Sequence, residues 1–112
     1  VRSVIGRYLE HSRVFAFRNG GDEQVWIGSA DMMHRNLDRR VEALVLLEDE
    51  AHVQHCLDMF DLAMSDGTAT WRMNPDASWT RRAVDDEGRP LVQMHDEMMR
   101  RISARPRKRS LR

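Results

Sequence analysis

Arg13-Val14-Phe15-Ala16-Phe17-Arg18, then Asn19-Gly20-Gly21-Asp22-Glu23, then Gln24-Val25-Trp26-Ile27-Gly28: this stretch decides the fold. β-Branched and aromatic residues crowd both flanks, as pleated and half-buried surfaces favour. The Asn-Gly-Gly between them tolerates positive φ, which tight hairpin turns require. The stretch therefore reads as a β-hairpin. Upstream, Val1 to Gly6 reads as a short strand carrying Val4 and Ile5 and ending at glycine. Downstream, Asp31 to Leu37 reads as a short helical turn capped by Ser29 or Asp31. Arg40 to Leu47 closes on a continuous apolar run, which predicts a strand buried on both faces.

Beyond Leu47 the period changes. Val53, Cys56, Leu57, Phe60, Ala63 and Met64 recur at helical spacing, with Asp49 as a cap and Asp66-Gly67 as a stop. Thr68 to Met73 and Trp79 to Val84 read as strands, separated by an Asn74-Pro75-Asp76 turn. Asp85 to Arg89 is a further turn, and Pro90 suits a first helical position. Leu91, Met94, Met98 and Ile102 mark a second amphipathic helix. The basic stretch 106–112 is expected to be a disordered tail. No internal repeat is present. The expectation is α/β, with a mixed sheet of four to six strands flanked by two main helices.

The chain has 112 residues, 41% hydrophobic and 32% charged. A chain of this length buries roughly two thirds of its extended surface on folding, enough for one domain with one modest core. The composition is that of a globular domain and lacks the low apolar content of disorder. No apolar run approaches the roughly 20 residues of a membrane-spanning helix, and no signal-peptide core is present. The chain opens at Val1 in a strand-like run and not at Met, so a longer protein is expected around it. Cys56 is the only cysteine, which excludes an internal disulfide and points to a reducing cytoplasm; peripheral membrane association stays open. Eighteen basic and eighteen acidic residues cancel. They are unevenly spread: from Arg100 to Arg112 there are seven basic residues and no acidic one. A neutral total argues against a dedicated nucleic-acid coat while leaving room for local basic patches.

Polar groups gather at the strand ends between Gly6 and Glu42. They are His11, Ser12 and Arg13, then Gly28, Ser29 and Asp31, then Arg35, Asn36, Asp38, Arg39, Arg40 and Glu42. His11-x-Arg13 on an entering strand would place both side chains on one sheet face. Backbone N–H groups at Gly28-Ser29 could point at a phosphate, and arginine's fixed fork of donors matches phosphate oxygens in pairs. From the residues alone two readings stand. One is a phosphate-handling set; the other is a solvated face in which the arginines pair with Asp38 and Glu42.

The run Ile5-Gly6-Arg7-Tyr8-Leu9-Glu10-His11-Ser12-Arg13-Val14 resembles the GRFLEHSR signature of bacterial polyphosphate kinases. The run from Val25 through Gly28-Ser29-Ala30-Asp31 and Arg35-Asn36-Leu37-Asp38-Arg39-Arg40-Val41-Glu42 resembles that family's GSADWMxRNLDRRVE signature, at matching spacing. The resemblance covers the family's C-terminal phospholipase-D-like domain, here residues 1–105. It implies reversible transfer of the terminal phosphoryl group of ATP to inorganic polyphosphate, through a phosphohistidine on an upstream domain. His11 would face that phosphohistidine, binding the transferring phosphate or acting as acid/base; the sequence does not choose. The resemblance implies ATP and phosphate binding by His11, Arg40, Arg13, Arg39, Ser29 and Asn36. It implies Mg2+ with ligands outside this segment, the upstream domains as partners, and a homo-oligomer when full length. Nucleic acid is not expected as a partner, and the isolated segment is expected to be inactive.

The sequence departs from the phospholipase-D pattern, His-x-Lys followed by Gly-Ser-x-Asn. Arg13 stands for the lysine and Asp31 for the asparagine, the latter being the kinase family's own usage. Met32 replaces the family's usual tryptophan, and His34 falls at a variable position. The alternative is a non-catalytic phospholipase-D-like module that binds polyanions. A phosphodiesterase half-site acting as a homodimer is disfavoured by the missing lysine. His52, His55 and Cys56 lack an evident fourth ligand for zinc. The methionines read as core filling, and Trp71 and Trp79 as packing residues or a face that meets missing domains.

Overall fold

The computed structural model describes residues 1–106, apart from the side chains of Asn36 and Leu37. The basic residues from Arg107 onward therefore lie outside the described residues. Two compact units are present. One comprises residues 10–61, and the other residues 1–9 together with those from Leu62 onward.

In the unit of residues 10–61, β2 (Val14–Phe17), β3 (Gln24–Gly28) and β4 (Leu44–Leu46) form an antiparallel sheet in the order β2-β3-β4. The hairpin is as predicted: Phe15 pairs with Trp26 and Phe17 with Gln24. Asn19, Gly20 and Gly21 take φ of 44°, 68° and 106°, the left-handed region that Asn and Gly enter most readily. Central β3 carries Val25, which is fully buried. β4 departs from expectation. It is a three-residue edge strand, and Leu44 and Val45 are 49% and 58% exposed instead of buried on both faces. A continuous apolar run reads as a doubly covered strand only where something covers both faces.

The helix α1 (His34–Asp38) is short, and its cap residue is Met33, with no side-chain capping bond. Neither Ser29 nor Asp31 caps it, because both side chains are engaged elsewhere. α2 (Glu50–Met64) starts where predicted. The Asp49 carboxylate accepts from the N–H of Ala51 at 2.8 Å and of His52 at 3.4 Å, satisfying donors that the first helical turn leaves open.

In the other unit, β1 (Arg2–Ser3), β5 (Thr70–Met73) and β6 (Trp79–Arg82) form a second antiparallel sheet in the order β1-β5-β6. The six strands among the described residues thus divide between two antiparallel sheets, not one mixed sheet. Arg2 ties β1 to the end of α2, its guanidinium donating to the Ser65 carbonyl at 3.1 Å and to Asp66 at 2.9 Å. Leu62, Met94, Thr68, Thr70 and His95 are buried. Pro90 does not open the last helix. It bridges to Val84 across the Asp85–Arg89 turn, and α3 runs Met94–Ser103. The Leu91 N–H donates to the Ala83 carbonyl at 2.9 Å, so the ladder outlasts the proline before the chain turns helical.

Candidate active site

His11 is exposed and lies in the connection ahead of β2, not in the strand. The predicted sharing of one sheet face by His11 and Arg13 therefore does not hold. Arg13 keeps the ladder, its carbonyl accepting from the Gly28 N–H at 3.2 Å, whereas His11 has left it. A local bracket fixes the backbone around His11. The Ser12 N–H donates to the Glu10 carboxylate at 3.0 Å, and the Ser12 hydroxyl donates to the same oxygen. His11 is thus the middle residue of a clamped turn, with its imidazole outside.

Arg13 and Asp31 are joined twice, Nε to Oδ1 at 2.8 Å and Nη2 to Oδ2 at 3.0 Å. The hydrogen bond from Arg13 holds the Asp31 carboxyl below the usual carboxylate range, with partial burial opposing. The positive charges of Arg13, Arg35 and His11 add to that lowering. Asp31 in turn raises the Arg13 pKa, through the hydrogen bond first and its charge second. Coulomb effects of this kind fall off with distance. Among the described residues Asp31 is thus bonded to Arg13 alone and feels the charges of Arg35 and His11 at longer range. Arg35 stands four residues after Asp31, and its charge helps to lower that carboxyl.

Ser29 is a fastener. Its hydroxyl donates to Glu42 and accepts from the Ala43 N–H at 3.2 Å, while its own N–H donates to the Ala43 carbonyl at 3.1 Å. The N–H groups of Gly28 and Ser29 are thus both spent on strand pairing and do not form a phosphate nest. The bonds pin the two ends of the segment 29–43 that carries Arg35, Arg39 and Arg40. Gly28 is needed where this segment leaves β3, because a Cβ there would lie 2.3 Å from the Ala43 carbonyl oxygen. Arg39 and Arg40 are exposed just past α1, and the Arg39 N–H donates to the Arg35 carbonyl at 3.3 Å. The side chain of Asn36 lies outside the described residues. His34 pairs with Asp38 within α1.

A second clamp lies in the unit of residues 1–9 and 62 onward. The His95 imidazole is 6% exposed, and its Nδ1 accepts from the Tyr8 N–H at 3.0 Å. The Tyr8 ring lies 5.7 Å from it, tilted by 44°, and its hydroxyl reaches Met99 Sδ at 3.5 Å. The glycine of the first signature is explained by the same ring: a Cβ on Gly6 would lie 2.5 Å from His95 Nδ1. His95 escaped sequence reading because its partners are distant in the chain.

Among the described residues no group of three or more His, Cys, Asp or Glu side chains comes together that could hold a metal. Cys56 is half-buried and its thiol is pushed up by that burial, the state of a packing residue. No helix among the described residues is long and apolar enough to cross a membrane.

The chain is similar to known proteins along most of its length. The family described as "Polyphosphate kinase C-terminal domain 2" matches residues 1–103. The chain is 57% identical over 109 residues to a polyphosphate kinase of Streptomyces coelicolor, covering 97% of this chain and 14% of that protein. It is 43% identical over 101 residues to polyphosphate kinase 1 of Chlorobaculum tepidum, covering 90% of this chain and 14% of that protein. The crystal structure of the polyphosphate kinase from Porphyromonas gingivalis superposes with a TM-score of 0.78 at 27% identity, covering 91% of this chain and 15% of that one. The chain thus spans about a seventh of the length of these relatives.

Proposed function

The chain belongs to the polyphosphate kinase C-terminal domain 2 family, and from that premise we propose that it supplies one side of a phosphoryl-transfer site. The reaction is reversible transfer of the terminal phosphoryl group of ATP to inorganic polyphosphate. In the forward direction the bond from phosphorus to the ADP oxygen breaks and a bond to a histidine nitrogen of an upstream domain forms. That bond then breaks as the terminal oxygen of the growing chain takes the phosphorus.

The observation that carries this reading is the exposed His11 on a backbone bracketed by Glu10 and Ser12, two residues before an Arg13 held by Asp31. Phosphoryl transfer depends mainly on positioning and on fixed positive charge around the equatorial oxygens. His11 stands exposed on a backbone held by Glu10 and Ser12, so its ring can meet a phosphoryl oxygen with little reorganisation. Arg35, Arg39 and Arg40 form a cationic wall on the fastened segment and take the nucleotide and chain phosphates. Arg13 and Ser29, both spent on internal partners, position the others more than they bind.

Mg2+ accompanies nucleotide phosphates in such reactions. The carboxylates around His11 are already engaged, Glu10 by Ser12 and Asp31 by Arg13 through both oxygens, so these donors do not suit the ion. The remaining partners of this reading are the upstream domains and further copies of the full-length protein in a cytoplasmic setting.

The test is His11→Ala in the full-length protein, assayed for polyphosphate synthesis from ATP. Loss of about 10²-fold or more is expected from the removal of a positioned proton-handling group. Normal synthesis by a folded variant overturns the assignment. Loss of synthesis with intact binding of tripolyphosphate separates a catalytic His11 from a module that only binds.

A further inference from the structure

The unit formed by residues 1–9 and 62 onward contains a cavity of about 240 Å³, lined by Ile5, Thr70, Trp71, Arg81, Arg82 and Gln93 among others. It sits where β5 begins and β6 ends. Thr70 forms its buried side at 3% exposure, while Arg81 and Gln93 are exposed. Thr70 Oγ1 and Arg82 Nε are both buried, and neither has a hydrogen-bond partner among the described residues. Buried polar groups are nearly always paired, and two unsatisfied groups on residues that border one cavity, each just beneath its wall, point to a missing partner. The far end of Arg82 lies 3.8 Å from the exposed carboxylate of Asp86, and its charge also helps to lower the carboxyls of Asp66 and Asp85. Gln93 is the cap residue of α3 and makes no side-chain capping bond.

The lining sets the chemistry of that partner. Two guanidinium groups, a hydroxyl and a primary amide are present, and no carboxylate lines the cavity. Hydroxyl and amide can both donate, and the guanidinium groups can do nothing else. A tetrahedral oxyanion offers acceptor oxygens in several directions, whereas a planar carboxylate offers two in one plane. We propose that the cavity bounded by Thr70, Arg81, Arg82 and Gln93 is a second anion subsite that takes a phosphoryl group, separate from His11. The choice of phosphate over other tetrahedral anions rests on the polyphosphate reading above; the presence of an anion subsite does not.

The experiment is calorimetric titration of the full-length protein with orthophosphate, tripolyphosphate and ADP, each against Thr70→Val and Arg82→Gln. Thr70→Val keeps the shape and removes only the unsatisfied hydroxyl, so it should melt at or above the wild-type temperature when no anion is present. The expected result is a dissociation constant raised about ten-fold at one site for each variant, with Thr70→Ser restoring it. A loss confined to tripolyphosphate identifies the inorganic chain as the source of the phosphoryl group, and one confined to ADP identifies the nucleotide. Wild-type stoichiometry and affinity for all three anions in a folded Thr70→Val protein would overturn the proposal. Because the readout is binding, it stands apart from His11: synthesis surviving His11→Ala defeats the catalytic reading and leaves the subsite intact.

Discussion

The Arg13 guanidinium holds the Asp31 carboxylate by two parallel hydrogen bonds, 2.8 Å and 3.0 Å long. The two departures from the phospholipase-D pattern, arginine for lysine and aspartate for asparagine, are therefore one change. A lysine–asparagine pair carries one positive charge; the arginine–aspartate pair carries none. In the site proposed above, the cationic work falls to Arg35, Arg39 and Arg40, which are exposed.

That coupling is measurable. Arg13→Ala and Asp31→Ala, made singly in the full-length protein, should each lower the rate of synthesis about ten-fold or more, because each strands a charge beside His11. The double variant should lose little beyond the worse single one. Additive losses in the double-mutant cycle would show that the two side chains act independently.

Gly6→Ala should dislodge the Tyr8 clamp. The added Cβ would meet the buried His95 ring at 2.5 Å, 2.9 Å and 3.2 Å. Such overpacking costs about 1–3 kcal/mol. Hydrogen exchange at the Tyr8 amide is the direct readout, since that N–H donates to His95. Exchange should quicken in Gly6→Ala and in His95→Ala, with the double variant no faster than His95→Ala. Unchanged protection in Gly6→Ala would contradict the packing described.

Gly28→Ala should damage the other unit. The new Cβ would sit 2.3 Å from a backbone oxygen and 3.1 Å from the Leu44 Cα, neither of which yields as a flexible side chain does. Loss of the β3–β4 pairing and of the Ser29–Glu42 fastening should follow. A destabilisation of about 2 kcal/mol is expected, read as faster hydrogen exchange at Ser29 and Leu47. Wild-type exchange at both amides would argue that β4 slides without cost.

Glu97 provides a pH signature. Hydrogen bonds from Arg100 and Arg101 lower its pKa from 4.5 to about 2. A depressed carboxylate stabilises the fold above its unfolded pKa, and that stabilisation is lost as pH falls through the folded one. The stability difference between wild type and Glu97→Gln should therefore be full at neutral pH and shrink steadily between 4.5 and about 2. Thermal melts across that range test it; a gap that widens on acidification has the wrong sign.

Local chemistry was readable wherever the deciding partner lay within a few residues. Asn19-Gly20-Gly21 announced its turn because few other residues accept those φ values, and Asp49 announced α2 because a cap acts on the next turn. Reading failed where the partner was distant. Ser29 looked like a helix cap, but Glu42 claims its hydroxyl and Met33 takes the cap position. Pro90 looked like a helix start, but the Asp85–Arg89 turn folds it back onto Val84. Of the candidate site, the residue types and their two blocks were visible in the sequence. The division of labour between fasteners (Arg13, Ser29) and exposed groups (His11, Arg35, Arg39, Arg40) was not, because it depends on pairings made only by the tertiary fold.

The Tyr8–His95 bond closes a loop of 87 residues. On a ribosome the amino-terminal signature is among the first of these residues to emerge and among the last to find its partner. Until α3 has been synthesised, the strip before His11 has no imidazole to rest against. A truncation that removes α3 should therefore be felt 87 residues upstream, as an untethered first motif.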